Sequence, residues 1–232
     1  MPQLGEALLY FAVFLFSTTL HEAAHAWAAL RGGDLTAYHG GQVSLDPMPH
    51  MRREPFGMVV LPLLTAIVSG WPMGFASAPY DPEWAERHPR RAAWMAAAGP
   101  GANLLLLLLA GLALRGGEMA GVFIAPESIR FGAIAAAHTP GWELTGQVLS
   151  IVFSMNLLLM CFNLIPVPPL DGSAVLMLGL TPEAARRYQG FLRSTPLLAW
   201  VGLIAAWQLF SFVFGPIFRV AASLLYAGVT YG

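Results

Sequence analysis

The chain has 232 residues, of which 56% are hydrophobic and only 11% are charged, and its mean hydropathy is +0.61. This apolar share is well above that of an ordinary soluble domain, so the composition excludes a soluble protein and predicts a membrane protein in contact with the lipid bilayer. The formal net charge is −1 and the sequence contains no basic tail, so we expect no nucleic-acid partner.

Five apolar stretches are long enough to cross a hydrocarbon core of about 30 Å, which takes about 20 helical residues. They comprise residues 7–30, 55–79, 92–114, 144–170 and 195–218. The second contains two internal prolines together with Gly70 and Gly74, which suit a broken re-entrant segment better than a straight helix. The sequence therefore predicts an all-α polytopic membrane protein with about four transmembrane helices and a re-entrant segment at residues 35–80, which could contain a β-hairpin. Five or six spans are the alternative, and we expect residues 1–232 to form one domain.

The arginines predict the orientation of the chain, since all twelve of its basic residues are arginines. If residues 55–79 cross the membrane, six arginines fall on each side, and the charge decides nothing. If those residues re-enter, nine arginines share one face, opposite Arg115, Arg130 and Arg219. The positive-inside rule then makes the nine-arginine face cytosolic. We therefore expect four crossings and an N-terminus outside the cytosol.

The first apolar stretch contains the motif HEAAH, at His21, Glu22 and His25. On a helix, residues four positions apart project from one face, so both imidazoles can reach a single tetrahedral metal ion. In this motif the histidines bind zinc and the glutamate takes a proton from water. The alternative is that the histidines are core groups satisfied by the backbone or by a polar neighbour. Ionisable groups in a span are costly, which favours the metal site.

A catalytic zinc site normally has three protein ligands, so a third ligand must come from elsewhere in the chain. The best candidate is Asp171, the first acidic residue after the uncharged span, within FNLIPVPPLDG. Its prolines end the preceding helix and favour an extended segment, and Gly172 permits a sharp turn. The alternative is that Asp171 caps a helix that begins near Ser173.

Three motifs in this order, HEAAH, AAAGPGANLLL and FNLIPVPPLDG, resemble the site-2 protease family of intramembrane zinc metalloproteases, in its short form without PDZ or CBS domains. The resemblance also covers GGQVSLDPMPH and EPFGMVVLP, and it extends from about residue 5 to 215.

The resemblance implies that His21, His25 and Asp171 hold one zinc ion per chain and that Glu22 is the general base. Asn163 matches the family's polar residue near the scissile bond. The implied substrate is a transmembrane segment of another membrane protein. The implied location is a prokaryotic inner membrane, with the active site nearer the cytosolic face.

Three positions depart from the family pattern without touching the zinc motif. The family often has Asn-Pro at Asp46-Pro47, Gly-Gly at Gly172-Ser173, and WAKPVP where this chain has FASAPY at residues 75–80. The last change removes a lysine from the re-entrant region, which in the resemblance adjoins the substrate path. It therefore bears on substrate preference.

A helical substrate must unwind to expose a peptide bond, and an extended edge near the site could hold it by β-augmentation. Residues 40–47 could supply that edge, with Gly40 and Gln42 as candidate substrate contacts, or could form a plain surface hairpin. Asn103 could line the same cavity or make a hydrogen bond between helices.

Two further histidines and two rival functions are also compatible with the sequence. His39 and His50, in the polar loop before the re-entrant segment, are weaker candidates for contact with metal. One rival function is a membrane zinc carrier, which has no use for Glu22, and the other is an inactive adaptor that binds substrates without cutting them.

Overall fold

The computed structural model describes residues 4–195, 197–226, 228, 229 and 231, and most of these residues are helical. The elements, in chain order, are α1 (Leu4–Gly32), α2 (Thr36–His39), α3 (Pro47–Arg53), a π-helical turn (Phe56–Val60) that continues into α4 (Leu61–Ser69), α5 (Pro82–Arg87), α6 (Pro89–Met119), β1 (Phe123–Ile124), β2 (Ala136–Ala137), α7 (Glu143–Asn163), α8 (Asp171–Val175), a 3-10 turn (Leu176–Gly179), α9 (Pro182–Ser194) and α10 (Leu197–Ser223). The predicted fold class is confirmed.

Three helices, α1, α6 and α7, are long and apolar enough to cross a membrane. The fourth candidate is α10, whose halves Ala199–Phe210 and Phe212–Ser223 meet at an angle of 50°. Pro216 contributes to this bend, because proline cannot donate to the carbonyl one turn earlier and its ring crowds that carbonyl. Three to four spans agree with the predicted number.

The segment with the internal prolines folds back on itself. Its helical part, Phe56–Ser69, has 14 residues, which is about 21 Å at 1.5 Å per residue and shorter than the core of a bilayer. Gly70 ends this helix at a φ of 84°, a conformation that glycine adopts readily. The chain then returns, and the backbone N–H of Phe75 donates to the carbonyl of Gly57 over 3.1 Å. Both ends of the segment therefore lie together, as expected of a re-entrant segment.

The β-hairpin that was considered for residues 35–80 is absent, because this fully described stretch contains no strand. Residues 40–41 form a turn and residues 43–45 a bend instead. Asp46 accepts a hydrogen bond from the backbone N–H of Met48 over 2.9 Å, and Pro47 occupies the first turn of α3. An Asp-Pro pair of this kind starts a helix and removes a strand donor, which explains the difference.

A pair of short strands lies in the loop between α6 and α7. The strands are antiparallel and pair Phe123 with Ala137 and Ile124 with Ala136. The same loop buries Ile134 completely, and the Tyr226 hydroxyl donates to its carbonyl over 2.8 Å. This apolar cluster fixes one end of the α6–α7 pair.

Candidate active site

The two histidines of the motif lie on one face of α1 and point toward α6. Both are buried, with 6% and 5% of their surface exposed. Nδ1 of His21 is 2.6 Å from Oδ1 of Asn103, and Nδ1 of His25 is 2.7 Å from the backbone carbonyl oxygen of Met95. Because both partners are acceptors, Nδ1 carries the proton in each ring and Nε2 is left with a free lone pair.

Three potential ligand atoms converge at the free side of these rings. The two Nε2 atoms are 2.9 Å apart. Oδ2 of Asp171 is 3.2 Å from Nε2 of His21 and 3.3 Å from Nε2 of His25. Tetrahedral zinc with bonds of about 2.0 to 2.1 Å places neighbouring ligands about 3.3 Å apart. Two lone pairs and a carboxylate repel one another unless a cation lies between them. The donor set therefore fits zinc.

Asp171 does not cap a helix. It is the first residue of α8, the N-cap is Leu170, and no side chain makes a cap hydrogen bond there. The Oδ2 atom of Asp171 is buried and receives no hydrogen bond from the described residues. Of the two interpretations of this aspartate, the structure adopts the one in which it faces the histidines.

The residue after Asp171 is a glycine because the backbone of Leu164 and Ile165 lies against it, and not because the chain turns sharply there. A Cβ atom on Gly172 would lie 2.5 Å from the carbonyl oxygen of Ile165 and closer still to that of Leu164. Only glycine lets α8 approach the chain that leaves α7. Beyond α8, Met177 packs against Ala93 of α6 and Ala185 of α9. This packing holds the segment that carries Asp171 against α6.

Gly99, within AAAGPGANLLL, brings α6 against the histidines. A Cβ atom at this position would lie 2.6 Å from Nε2 of His21 and closer still to that of His25. Pro100 follows and has no N–H to donate to the carbonyl of Ala96, one turn earlier in α6. Gly99 was not among the predicted site residues. The available signal was a glycine in the interior of an apolar helix, where it needs a packing or functional reason.

Glu22 is the third ionisable group of the motif, and only 4% of its surface is exposed. Its Oε2 atom is buried and accepts no hydrogen bond from the described residues. Buried carboxylate oxygens are normally satisfied, so this one is available to water or to a ligand.

Asn103 lies behind His21 and is not accessible to a substrate. It is fully buried, its Oδ1 atom faces His21, and its Nδ2 group donates to Oδ1 of Asn156 over 2.8 Å. The Nδ2 group of Asn156 donates to Ser17 Oγ over 3.0 Å and to the Val152 carbonyl over 2.8 Å. Asn103 thus makes the hydrogen bond between helices that was its alternative role. Asn156 and Ser17 were not among the predicted site residues, although polar residues inside apolar spans were the signal.

The remaining predicted residues lie outside the cluster of ligand atoms. Asn163 is the last residue of α7, is partly buried, and makes no side-chain hydrogen bond to the described residues. Gly40 and His39 are exposed, whereas Gln42 is buried. His50 is buried, and its Nε2 atom lies 3.1 Å from a backbone carbonyl oxygen. Within the described residues, the group of side chains able to hold a metal consists of His21, His25 and Asp171.

The chain is similar to a known peptidase family and to bacterial proteins named as zinc metalloproteases. The model of peptidase family M50 matches residues 9–209. The chain is 31% identical over 174 residues to "Putative zinc metalloprotease YwhC" of Bacillus subtilis, an alignment that covers 74% of this chain and 68% of that protein.

Two mycobacterial relatives are each named "Putative zinc metalloprotease Rip2". The Mycolicibacterium smegmatis protein is 29% identical over 189 residues, which covers 80% of this chain and 62% of the relative. The Mycobacterium tuberculosis protein is 30% identical over 182 residues, which covers 78% of this chain and 61% of the relative. The chain thus spans less than two thirds of the length of either Rip2 protein, and no solved structure matches it. The chain belongs to peptidase family M50, the site-2 protease family of zinc metalloproteases, and the family predicted from its motifs is confirmed.

Proposed function

We propose that this protein is an intramembrane zinc endopeptidase that hydrolyses peptide bonds within or near transmembrane segments of membrane-protein substrates. One observation carries the proposal. The Nε2 atoms of His21 and His25 and the Oδ2 atom of Asp171 lie within 3.3 Å of one another. Both histidines and Glu22 belong to α1, a helix long and apolar enough to cross a membrane.

His21, His25 and Asp171 would hold one zinc ion. Three protein ligands are typical of catalytic zinc, whereas structural sites usually have four. Zinc in such a site lowers the pKa of bound water toward about 7 and polarises the scissile carbonyl. The Nδ1 bonds of the two histidines fix the ring orientation that presents both Nε2 lone pairs.

Glu22 would move the proton in the reaction. Its carboxylate takes a proton from the attacking water, whose oxygen forms a bond to the carbonyl carbon of the substrate. The carbon–nitrogen bond then breaks, and Glu22 returns the proton to the leaving amine. A buried carboxylate oxygen that accepts no hydrogen bond from the described residues suits this role.

The expected location is a prokaryotic inner membrane with the site nearer the cytosolic face. His21 and His25 lie in the half of α1 that leads to Arg31, and Asp171 lies between α7 and the arginines of α9. Both features belong to the nine-arginine face, which the positive-inside rule makes cytosolic. The bacterial relatives are consistent with this location.

The Glu22→Gln variant tests the proposal, because glutamine keeps the shape of the side chain and removes the base. Each variant is co-expressed with a panel of epitope-tagged single-span substrates, and cleavage and zinc content are measured. We expect the zinc content to persist and cleavage to fall by at least about 10² to 10⁴-fold. The matched control is Glu6→Gln, the same substitution at an exposed position in the first turn of α1.

Other results separate the rival functions. A carrier would move zinc nearly as well after Glu22→Gln, and an adaptor would keep its effect on substrates. Cleavage by purified, zinc-loaded Glu22→Gln protein at the native rate would overturn the mechanism.

A further inference from the structure

We propose that Asn156 is a positioning residue that acts through Asn103 to fix the proton position on His21. This inference rests on the proposed function, because it concerns how His21 is presented to zinc. Asn156 lies on α7 and makes no hydrogen bond to His21, Glu22, His25 or Asp171.

The orientation of the Asn103 amide decides which nitrogen of His21 has a free lone pair. With Oδ1 toward the ring, at 2.6 Å, Nδ1 of His21 must donate and Nε2 is free to bind metal. If the amide were reversed, its NH2 group would donate to Nδ1, and the proton of the neutral ring would move to Nε2. That tautomer cannot bind zinc through Nε2. The two ends of an amide have nearly the same shape, so packing alone does not choose between them.

A backbone carbonyl determines the direction of the whole chain of hydrogen bonds. The Val152 carbonyl can only accept, so the NH2 group of Asn156 faces it at 2.8 Å. This leaves Oδ1 of Asn156 toward Asn103, at 2.8 Å, where it can only accept from the Asn103 NH2 group. Oδ1 of Asn103 then faces His21. The order of donation therefore runs from His21 to Asn103, to Asn156 and to Val152.

Bulk water does not reach these side chains, because Asn103, Asn156 and Ser17 are all fully buried. Both hydrogens of the Asn156 NH2 group have acceptors, namely Ser17 Oγ and the Val152 carbonyl. The second histidine needs no such relay. Nδ1 of His25 lies directly against a backbone carbonyl, that of Met95, at 2.7 Å. Both rings thus reach the same tautomer, one directly and one through two side-chain amides.

Zinc affinity of the purified protein, measured by competition with a chromophoric chelator, tests this inference independently of activity. Asn156→Leu keeps a similar volume and removes the acceptor, and we expect zinc binding to weaken about 10- to 100-fold, as is typical when a partner of a ligating histidine is lost. Ser154→Ala is the matched control. It lies on the same helix, is fully buried, and its hydroxyl has no hydrogen-bond partner among the described residues.

Asn156→Asp separates positioning from helix packing. A carboxyl group at this position still accepts from Asn103, so we expect an affinity within a few-fold of the native protein and above that of Asn156→Leu. A packing role predicts the reverse order, because leucine suits an apolar interface and a buried carboxylate is costly. The aspartate variant also decides the question if the leucine variant does not fold.

The double variant shows whether Asn156 acts through Asn103. In an Asn103→Ala background the relay is already broken, so adding Asn156→Leu should weaken zinc binding no further, whereas independent effects would add. Additive losses, or native affinity in Asn156→Leu, overturn the inference. Failure of the native protein to bind zinc would instead overturn the proposed function.

Discussion

Replacement of Gly99 by alanine should damage the proposed zinc site without touching any of its ligands. The added methyl group would lie 2.6 Å from Nε2 of His21 and closer to that of His25. Ordinary contacts between such atoms are about 3.5 to 4.0 Å, so the methyl group overlaps the rings by about 1 Å. The rings cannot withdraw easily, because each is held through Nδ1. Either α6 moves away from α1 or the rings rotate.

The magnitude follows from the cost of overpacking. An extra methyl group in a well-packed interior costs about 1 to 3 kcal/mol. If this strain falls on the arrangement of the ligands, zinc binding weakens about 5- to 150-fold, since about 1.4 kcal/mol corresponds to a factor of ten. Cleavage should fall at least in proportion at limiting zinc.

Gly101→Ala is the matched control, two residues later on the same helix. A Cβ atom there would have no heavy atom within 4 Å. Alanine is also a better helix former than glycine by about 0.5 to 1 kcal/mol, so this variant should be as stable as the native protein or more so. The assay is competition for zinc with a chromophoric chelator in detergent solution. If Gly99→Ala binds zinc as tightly as Gly101→Ala, the close approach of α6 to the histidines is wrong.

Two further predictions concern the third ligand and the topology. The native protein should hold about one zinc ion per chain, and Asp171→Ala should lose most of it, since a two-histidine site lacks the third ligand that catalytic zinc requires. Full zinc stoichiometry and activity in Asp171→Ala, measured by metal analysis and substrate cleavage, would contradict this ligand set. Reporter fusions after Arg53 and after Arg90 should both indicate the cytosol, because the segment between them folds back. Opposite signals would show that residues 55–79 cross the membrane.

The local sequence pattern was sufficient to predict the parts of the site that depend on a single helix. The spacing of His21 and His25 places both rings on one face of α1 whatever the rest of the chain does, because the helix period fixes their directions. The prolines and glycines of residues 55–79 likewise predicted a broken segment. Its return to Gly57 is visible only in the structure, since the hydrogen bond from Phe75 joins residues 18 positions apart.

The two expectations that changed did so for different reasons. Residues 40–47 were candidates for a hairpin, but Asp46 and Pro47 start α3, a local signal that outweighed the turn-like composition before it. Asn103 had two possible roles, in the substrate cavity or in a hydrogen bond between helices, and the residues around it in the sequence could not distinguish them. The outcome depended on which helices lie opposite it, and these are α1 and α7. The role of Asn163 and the kind of substrate stay predictions.

By itself the sequence determined a membrane chain of about four spans, its protease family and the His-Glu-His arrangement, because each depends on composition or on short motifs that are recognisable along the chain. Only the tertiary structure decided that Asp171 faces the histidines and caps no helix, that Gly99 leaves room for their nitrogens, and that Asn156 stands behind Asn103. Asp171 is 146 residues from His25, and Asn156 is 53 residues from Asn103. Distances of that kind are set by the packing of α1, α6 and α7 against one another, and no local period encodes them.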